Sequence, residues 1–218
     1  MKAMILAAGR GERLRPLTDT TPKPLLEIQG RPLIVRHLER LHAAGLTDIV
    51  INLSWLADKI KGYLGDGSRY GVRIRYSEEV DGPLETGGGI LNALPLLGEN
   101  PFLVINGDIY TDFPFQTLQS ALKHGDLAHL VMLENPPHHP RGDFHLSADG
   151  RLHADGTPRL TYSGIGVHHP AFFKDCSPGK FPMLPWWREA MRSGRVSGQW
   201  YSGLWKDVGT IEALRGVV

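Results

Sequence analysis

Several functional classes are excluded by what this chain of 218 residues has little of. It carries one cysteine, Cys176, so no intramolecular disulfide can close, and neither a CxxC pair nor any zinc-type spacing occurs. The thiol reads as structural. The formal net charge is only +1, without the clustered basic excess of a polyanion binder, so no nucleic-acid partner is expected. A phosphate ligand has to be met by a few local groups. No apolar run is long enough to span a bilayer. The short run from Ala3 to Ala8 is too brief for a secretory signal and meets Arg10, Glu12, Arg13 and Arg15 at once. No membrane partner and a cytoplasmic location are expected. Repeats, linkers and low-complexity tracts are likewise missing.

What is present is a composition of 41% hydrophobic and 22% charged residues, which suffices for a sizeable core. The strand-like run 3–8 leads into a glycine-broken loop. After Pro32, Ile34, Leu38 and Leu41 share one helical face and Gly45 supplies a stop before a strand at 48–53, which makes a strand–helix–strand unit. The alternation continues with a helix at 55–64, a strand at 72–76, a helix after Thr86 and an apolar strand at 102–106. This pattern predicts an α/β, Rossmann-like fold: a mostly parallel mixed sheet with helices on both faces. Beyond Ala128 the texture changes. Extended segments at 130–133, 144–146 and 160–168 are expected to form a small added β lid, followed by a helix at 184–192, strands at 199–201 and 204–207, and a short last helix.

Three constellations carry chemistry. In Leu6-Ala7-Ala8-Gly9-Arg10-Gly11-Glu12-Arg13 small residues follow a strand, and their backbone N–H groups can turn toward phosphate oxygens. The third glycine of a dinucleotide fingerprint and the GK[ST] of a P-loop are both missing. Downstream, Lys23 stands between Pro22 and Pro24, whose fixed φ angles stiffen the backbone around a cation. The apolar strand ending Asn106-Gly107-Asp108 puts a carboxylate where open α/β sheets bind ligands. Asp108 is a candidate metal ligand, with a turn or helix-capping role as the alternative. The histidine pairs 138–139 and 168–169 each precede proline and are not expected to bind metal.

The opening pattern of LAAG, GxR, PxT and PKPL, matched here by Gly9, Gly11, Arg13, Pro16, Thr18 and Lys23, resembles the sugar-1-phosphate nucleotidylyltransferase family. The late segment Trp205-Lys206-Asp207-Val208-Gly209-Thr210 resembles that family's second metal-binding segment. The resemblance implies a nucleotide-diphospho-sugar transferase fold, a single domain over 1–218, with a nucleotide-binding half at 1–127 and a sugar-binding half at 128–218. It implies that Ala8, Gly9, Gly11, Glu12, Arg13 and Lys23 bind a nucleoside triphosphate, with Arg13 and Lys23 catalytic. Asp108 and Asp207 are the implied Mg²⁺ ligands, and hard oxygen donors suit that ion. Gly82, Gly87 and Gly88 lie where the family binds the base, although close packing at a helix start explains them equally well. Asn106, Asp143 and Trp205 lie in regions that match sugar contacts.

The expected partners are a sugar 1-phosphate and a nucleoside triphosphate. The short length and the segments 84–89 and 160–166 look most like a bacterial UTP-using branch that serves peptidoglycan recycling. Mannose, glucose or N-acetylglucosamine 1-phosphate with GTP, dTTP or UTP, a phosphocholine cytidylyltransferase, and a non-catalytic nucleotide-sugar-binding regulator remain alternatives. Arg141, Arg159 and Lys206 are equal candidates to meet a substrate carboxylate.

Overall fold

A computed structural model describes residues 1–216. In chain order its strands and α-helices are β1 (Lys2–Leu6), α1 (Leu17–Thr20), β2 (Glu27–Ile28), β3 (Arg31–Pro32), α2 (Leu33–Ala43), β4 (Asp48–Leu53), α3 (Ala57–Leu64), β5 (Arg73–Glu78), α4 (Glu85–Leu97), β6 (Phe102–Asn106), β7 (Ile109–Thr111), β8 (Ala128–Leu133), β9 (Phe144–Leu146), β10 (Leu152–His153), β11 (Arg159–His168), α5 (Leu184–Arg192), β12 (Val196–Trp200), β13 (Trp205–Asp207) and α6 (Ile211–Arg215).

Four strands, in the order β5-β4-β1-β6, pair in parallel through the crossover helices between them. Both faces of this centre are buried, and its side chains alternate between two cores. Ala3 and Ile5 of β1, Ile49 and Ile51 of β4, and Leu103 and Ile105 of β6 pack with Ile34, Leu38 and Leu41 of α2 and Ile60 of α3. The intervening Met4, Val50, Phe102 and Val104 pack with Ile90 and Ala93 of α4 and with Trp187 and Met191 of α5. A period of two along the strands meets helices on each side, which is why these strands read as continuous apolar runs. Each fully buried Ile or Leu stabilises the fold by roughly 1.5–3 kcal/mol relative to exposure.

The expected fold class is therefore observed, but the second half is arranged differently from the expectation. Segments 128–133 and 159–168 are not lid strands: β11 pairs antiparallel with β6, β8 pairs antiparallel with β11, and β12 runs parallel to β8, so all three extend the main sheet. The reason lies in burial. Every residue of β8 is buried, as are those of β11 from Ser163 to His168, and a strand covered on both faces belongs in a sheet interior. The added β structure is the short β9–β10 pair at the sheet edge and a separate ribbon of β7 with β13. The ribbon matters most for the site, because it carries the C-terminal segment back to the end of β6.

Candidate active site

The loops after the parallel strands enclose a cleft of about 470 Å³. Ala8, Gly9, Gly11, Glu12, Arg13, Lys23, Asn106 and Asp108 all line it, so the glycine loop, Lys23 and the strand end at Asp108 form one site at the C-terminal ends of β1 and β6. Gly11 sits at φ +68°, and a Cβ there would meet Thr18 Cγ2 at 2.9 Å and Lys23 Cβ at 3.2 Å. Only glycine fits a positive φ at that approach. Thr18, itself buried, ties the loop down by donating from Oγ1 to the Gly11 carbonyl at 2.8 Å. The arginines of the loop divide by partner. Arg10 stacks on Trp55 at 4.4 Å and Arg15 pairs with Asp19, which leaves Arg13 as the one that faces the cleft.

Lys23 is held by the short turn 23–25 and donates from Nζ to Asp108 Oδ2 at 2.7 Å. Its side chain is only 12% exposed, so the ammonium is a fixed charge and not a waving one. Asp108 itself is set by Gly107, whose N–H donates to the Leu6 carbonyl; a Cβ on Gly107 would stand 2.5 Å from that oxygen.

The ribbon brings the second carboxylate alongside. Asp207 pairs with Ile109 in register, and the Val208 N–H donates to the Asp108 carbonyl at 2.8 Å. Asp207 Oδ1 is buried without a hydrogen-bond partner. Burial raises its pKa, and the Asp108 charge adds to the rise, against the opposing pull of Lys23, Arg13 and His138. A buried carboxylate oxygen without a donor, beside the charge of a second carboxylate, has the chemistry that fits a cation. Two carboxylates fit Mg²⁺, which commonly takes one or two carboxylates and completes its shell with phosphate and water. Gly209 closes the corner: a Cβ there would meet Arg13 Nη2 at 2.6 Å and Asp207 Oδ1 at 2.8 Å.

The glycines of α4 have a packing role. The N–H groups of Gly87 and Gly88 both donate to the Phe181 carbonyl, at 3.0 and 3.2 Å. A Cβ on Gly87 would enter the Phe181 ring at 2.3 Å, and one on Gly88 would stand 2.1 Å from the Gly179 carbonyl. These two donors are committed to the 179–181 loop and are not free to read a base edge. Gly82 lies at φ +106° outside the cleft, and the residues that line this end are Pro83, Glu85 and Thr86. Glu85 also has a positive φ, +61°, which is strained for a side-chain-bearing residue.

Of the three sugar-side residues only Asn106 lines the cleft, and Gly164, at φ +79°, leaves room for its carboxamide. Asp143 accepts from the Tyr162 N–H at 2.8 Å and pairs with His139, and Trp205 donates from Nε1 to the Ser163 carbonyl at 2.8 Å. Both brace β11 and stand outside the cleft lining. Asn52 and Glu79 are among the cleft residues that were not anticipated from the sequence. Asn52 accepts from the Ala7 N–H at 2.8 Å and donates to Glu79 Oε1 at 2.7 Å, while Glu79 Oε2 accepts from the Leu84 N–H at 2.7 Å. A polar Asn52 inside the apolar run Ile49–Leu53 was the available signal.

With this geometry in place, a family model described as nucleotidyl transferase matches residues 2–144. The chain belongs to the nucleotidyl transferase family. It is 56% identical to an N-acetylmuramate alpha-1-phosphate uridylyltransferase of Neisseria meningitidis serogroup B, over 99% of this chain and 96% of that one. A Caulobacter vibrioides protein of the same name is 38% identical, over 97% and 93%. The structure of HddC from Yersinia pseudotuberculosis complexed with GMP-PN shares the fold, with a TM-score of 0.81, 24% identity and coverage of 99% and 97%. The nucleotidyl transferase resemblance read from the first 26 residues is borne out, and with it the expected fold.

Proposed function

We propose that this nucleotidyltransferase joins N-acetylmuramate α-1-phosphate to UTP, giving UDP-N-acetylmuramate and pyrophosphate in the cytoplasm, as a step in peptidoglycan recycling. The observation that carries the reading is the likeness to the two uridylyltransferases, at 56% and 38% identity over nearly the full length of each chain.

In the proposed reaction an oxygen of the sugar phosphate attacks the α-phosphorus of UTP in line. The bond to the α,β-bridging oxygen breaks, and pyrophosphate takes the electron pair. A phosphate monoester is largely dianionic at neutral pH, with a second pKa of about 6, so no general base is required. The chain's task is to position and neutralise. The loop 8–12 offers backbone N–H groups to the triphosphate, and Arg13 offsets charge on the departing pyrophosphate. Lys23, held against Asp108, sets a second positive charge at the reacting phosphate. Asp108 and Asp207 are the residues that would hold Mg²⁺, which when bound neutralises phosphate oxygens as a Lewis acid. Asn106 is proposed to meet the sugar, and Pro83, Glu85 and Thr86 surround the base.

The lactyl carboxylate of the substrate calls for a cation. Arg159 bonds the Gly156 carbonyl and lies 3.6 Å from Asp155, and Lys206 donates to the Gly216 carbonyl. Arg141 has no ion-pair partner among the described residues, and it shares its loop with His138, whose charge is felt at Asp207. Arg141 is therefore the preferred candidate. The test is pyrophosphate release from UTP and Mg²⁺ across a panel of sugar 1-phosphates, with Asp108→Ala as control. Turnover of N-acetylmuramate 1-phosphate that is lost in the variant supports the proposal. Preference for a neutral sugar 1-phosphate or for GTP sinks the substrate assignment, and silence across all four nucleotides favours a regulatory role.

A further inference from the structure

Behind the ribbon strand β7 lies a second, smaller cavity of about 160 Å³, separate from the cleft and walled by α2. Its lining includes Arg36, His37 and Arg40, which fall on one face of that helix at i, i+1 and i+4, and Tyr110 opposite. Arg36 Nε, His37 Nε2 and Arg40 Nε are all buried without a hydrogen-bond partner, and they make up half of such side-chain atoms among the described residues. Native structures rarely leave buried polar atoms unpaired, and three together on one wall require a common explanation. His37 is only 2% exposed, and its ring also hydrogen-bonds the backbone of Ile109, the residue after Asp108.

The charges around this cavity are unbalanced. Arg36 donates to the Ile28 carbonyl and lies over the Tyr110 ring at 5.6 Å; Arg40 donates to the Phe113 carbonyl at 3.0 Å. Neither has a carboxylate partner among the described residues. The two acidic residues of the lining are already engaged, Glu39 by Arg31 at 2.7 and 2.8 Å and Asp112 by the Tyr201 hydroxyl. Two guanidinium groups pinned by carbonyls, each with a spare N–H, form a preorganised site for an acceptor-rich anion.

We propose that the cavity between α2 and β7 binds one small tetrahedral oxyanion of the phosphate class, held by Arg36 and Arg40 with His37 at its side. The site is independent of what the cleft turns over. Because its far wall is β7, which runs directly on from Asp108, an occupied cavity braces the strand that positions the metal-binding carboxylate. Orthophosphate, which forms when released pyrophosphate is hydrolysed, has the required chemistry.

The experiment uses crystals of the wild-type protein soaked in arsenate, with data collected at the arsenic edge. The expected result is an anomalous peak in contact with Arg36 and Arg40. Water density in this cavity, with arsenate found only beside Arg13 and Lys23, overturns the proposal. In solution, inorganic phosphate at constant ionic strength should raise Tm in the wild type and in Arg13→Ala, and the rise should shrink in both Arg36→Met and Arg40→Met. A rise that disappears in Arg13→Ala and persists in the two methionine variants assigns phosphate binding to the cleft and refutes the second site.

Discussion

Asn52 and Glu79 form one buried bridge, 2.7 Å from Nδ2 to Oε1, that joins the loop after β1 to the loop before α4. At one end Asn52 holds the Ala7 N–H, and at the other Glu79 holds the Leu84 N–H. Gly89 makes the bridge possible, since a Cβ there would stand 2.7 Å from Glu79 Oε1 and 2.9 Å from Asn52 Nδ2. Asn52→Leu leaves both a backbone N–H and a carboxylate under-satisfied, at a cost of about 1–3 kcal/mol each. The expected outcome is a lower Tm and, because both ends of the cleft lose their spacing, a kcat/KM reduced more than tenfold. A variant with reduced Tm and normal kinetics assigns the bridge to folding alone.

Arg13→Ala should lower kcat by roughly 10²–10³, the usual cost of removing a group that meets developing charge, with a much smaller effect on KM for the triphosphate. Steady-state pyrophosphate release measures both. A normal kcat removes Arg13 from the transition state.

Asp207→Asn separates stability from activity. Burial and the Asp108 charge raise the Asp207 pKa above its unfolded value of about 3.9, so ionising it works against the folded state once the pH climbs past that value. The asparagine variant should therefore melt higher than the wild type at neutral pH without metal, gain less from added Mg²⁺, and lose turnover. Equal Mg²⁺-dependent shifts in Tm for the two proteins would show that Asp207 holds no cation.

Two buried imidazoles set the acid limb of stability. Desolvation lowers both His37 and His168 from 6.5 to about 4. The unfolded chain then binds more protons between these values, so stability is full above pH 6.5 and is lost as the pH falls toward 4, by about 3 kcal/mol for each ring. His168 Nε2 accepts from Trp187 Nε1 at 3.1 Å. His168→Gln can keep an acceptor for that indole while removing the titration, so urea melts from pH 7 to 4.5 should show a shallower decline. An unchanged slope would mean that His168 titrates alike in the folded and unfolded chain.

Gly88→Ala tests the packing role of the α4 glycines. The new Cβ would meet the Gly179 carbonyl at 2.1 Å, a backbone atom that cannot step aside cheaply. Overpacking of this kind costs about 1–3 kcal/mol, and a fall in Tm is expected with any change in base preference secondary to it. Full stability with altered nucleotide choice would restore a base-reading role.

Much of this was legible from residues alone because it rests on local pattern. The strands 48–53 and 102–106 and the helix 184–192 are found with their expected bounds, since apolar periodicity and flanking breakers fix them. The gathering of Gly11, Arg13, Lys23 and Asp108 around one cleft was implied by the family resemblance of their motifs and by the place of Asp108 at a strand end. Long-range pairing was less accessible. That β11 pairs with β6 depends on which edge is open, and the apolar run of β11 fits a sheet interior and a lid equally well. The glycines 87–89 looked alike in sequence, yet each makes room for a different neighbour: a ring, a carbonyl and the Asn52–Glu79 bridge.

The β7–β13 ribbon also has a bearing on folding. Asp108 lies near the middle of the chain and Asp207 close to its C-terminal end, and the two meet only when β13 has docked on β7. The ribbon therefore makes the pairing of these two carboxylates a late event, contingent on a contact between segments about a hundred residues apart.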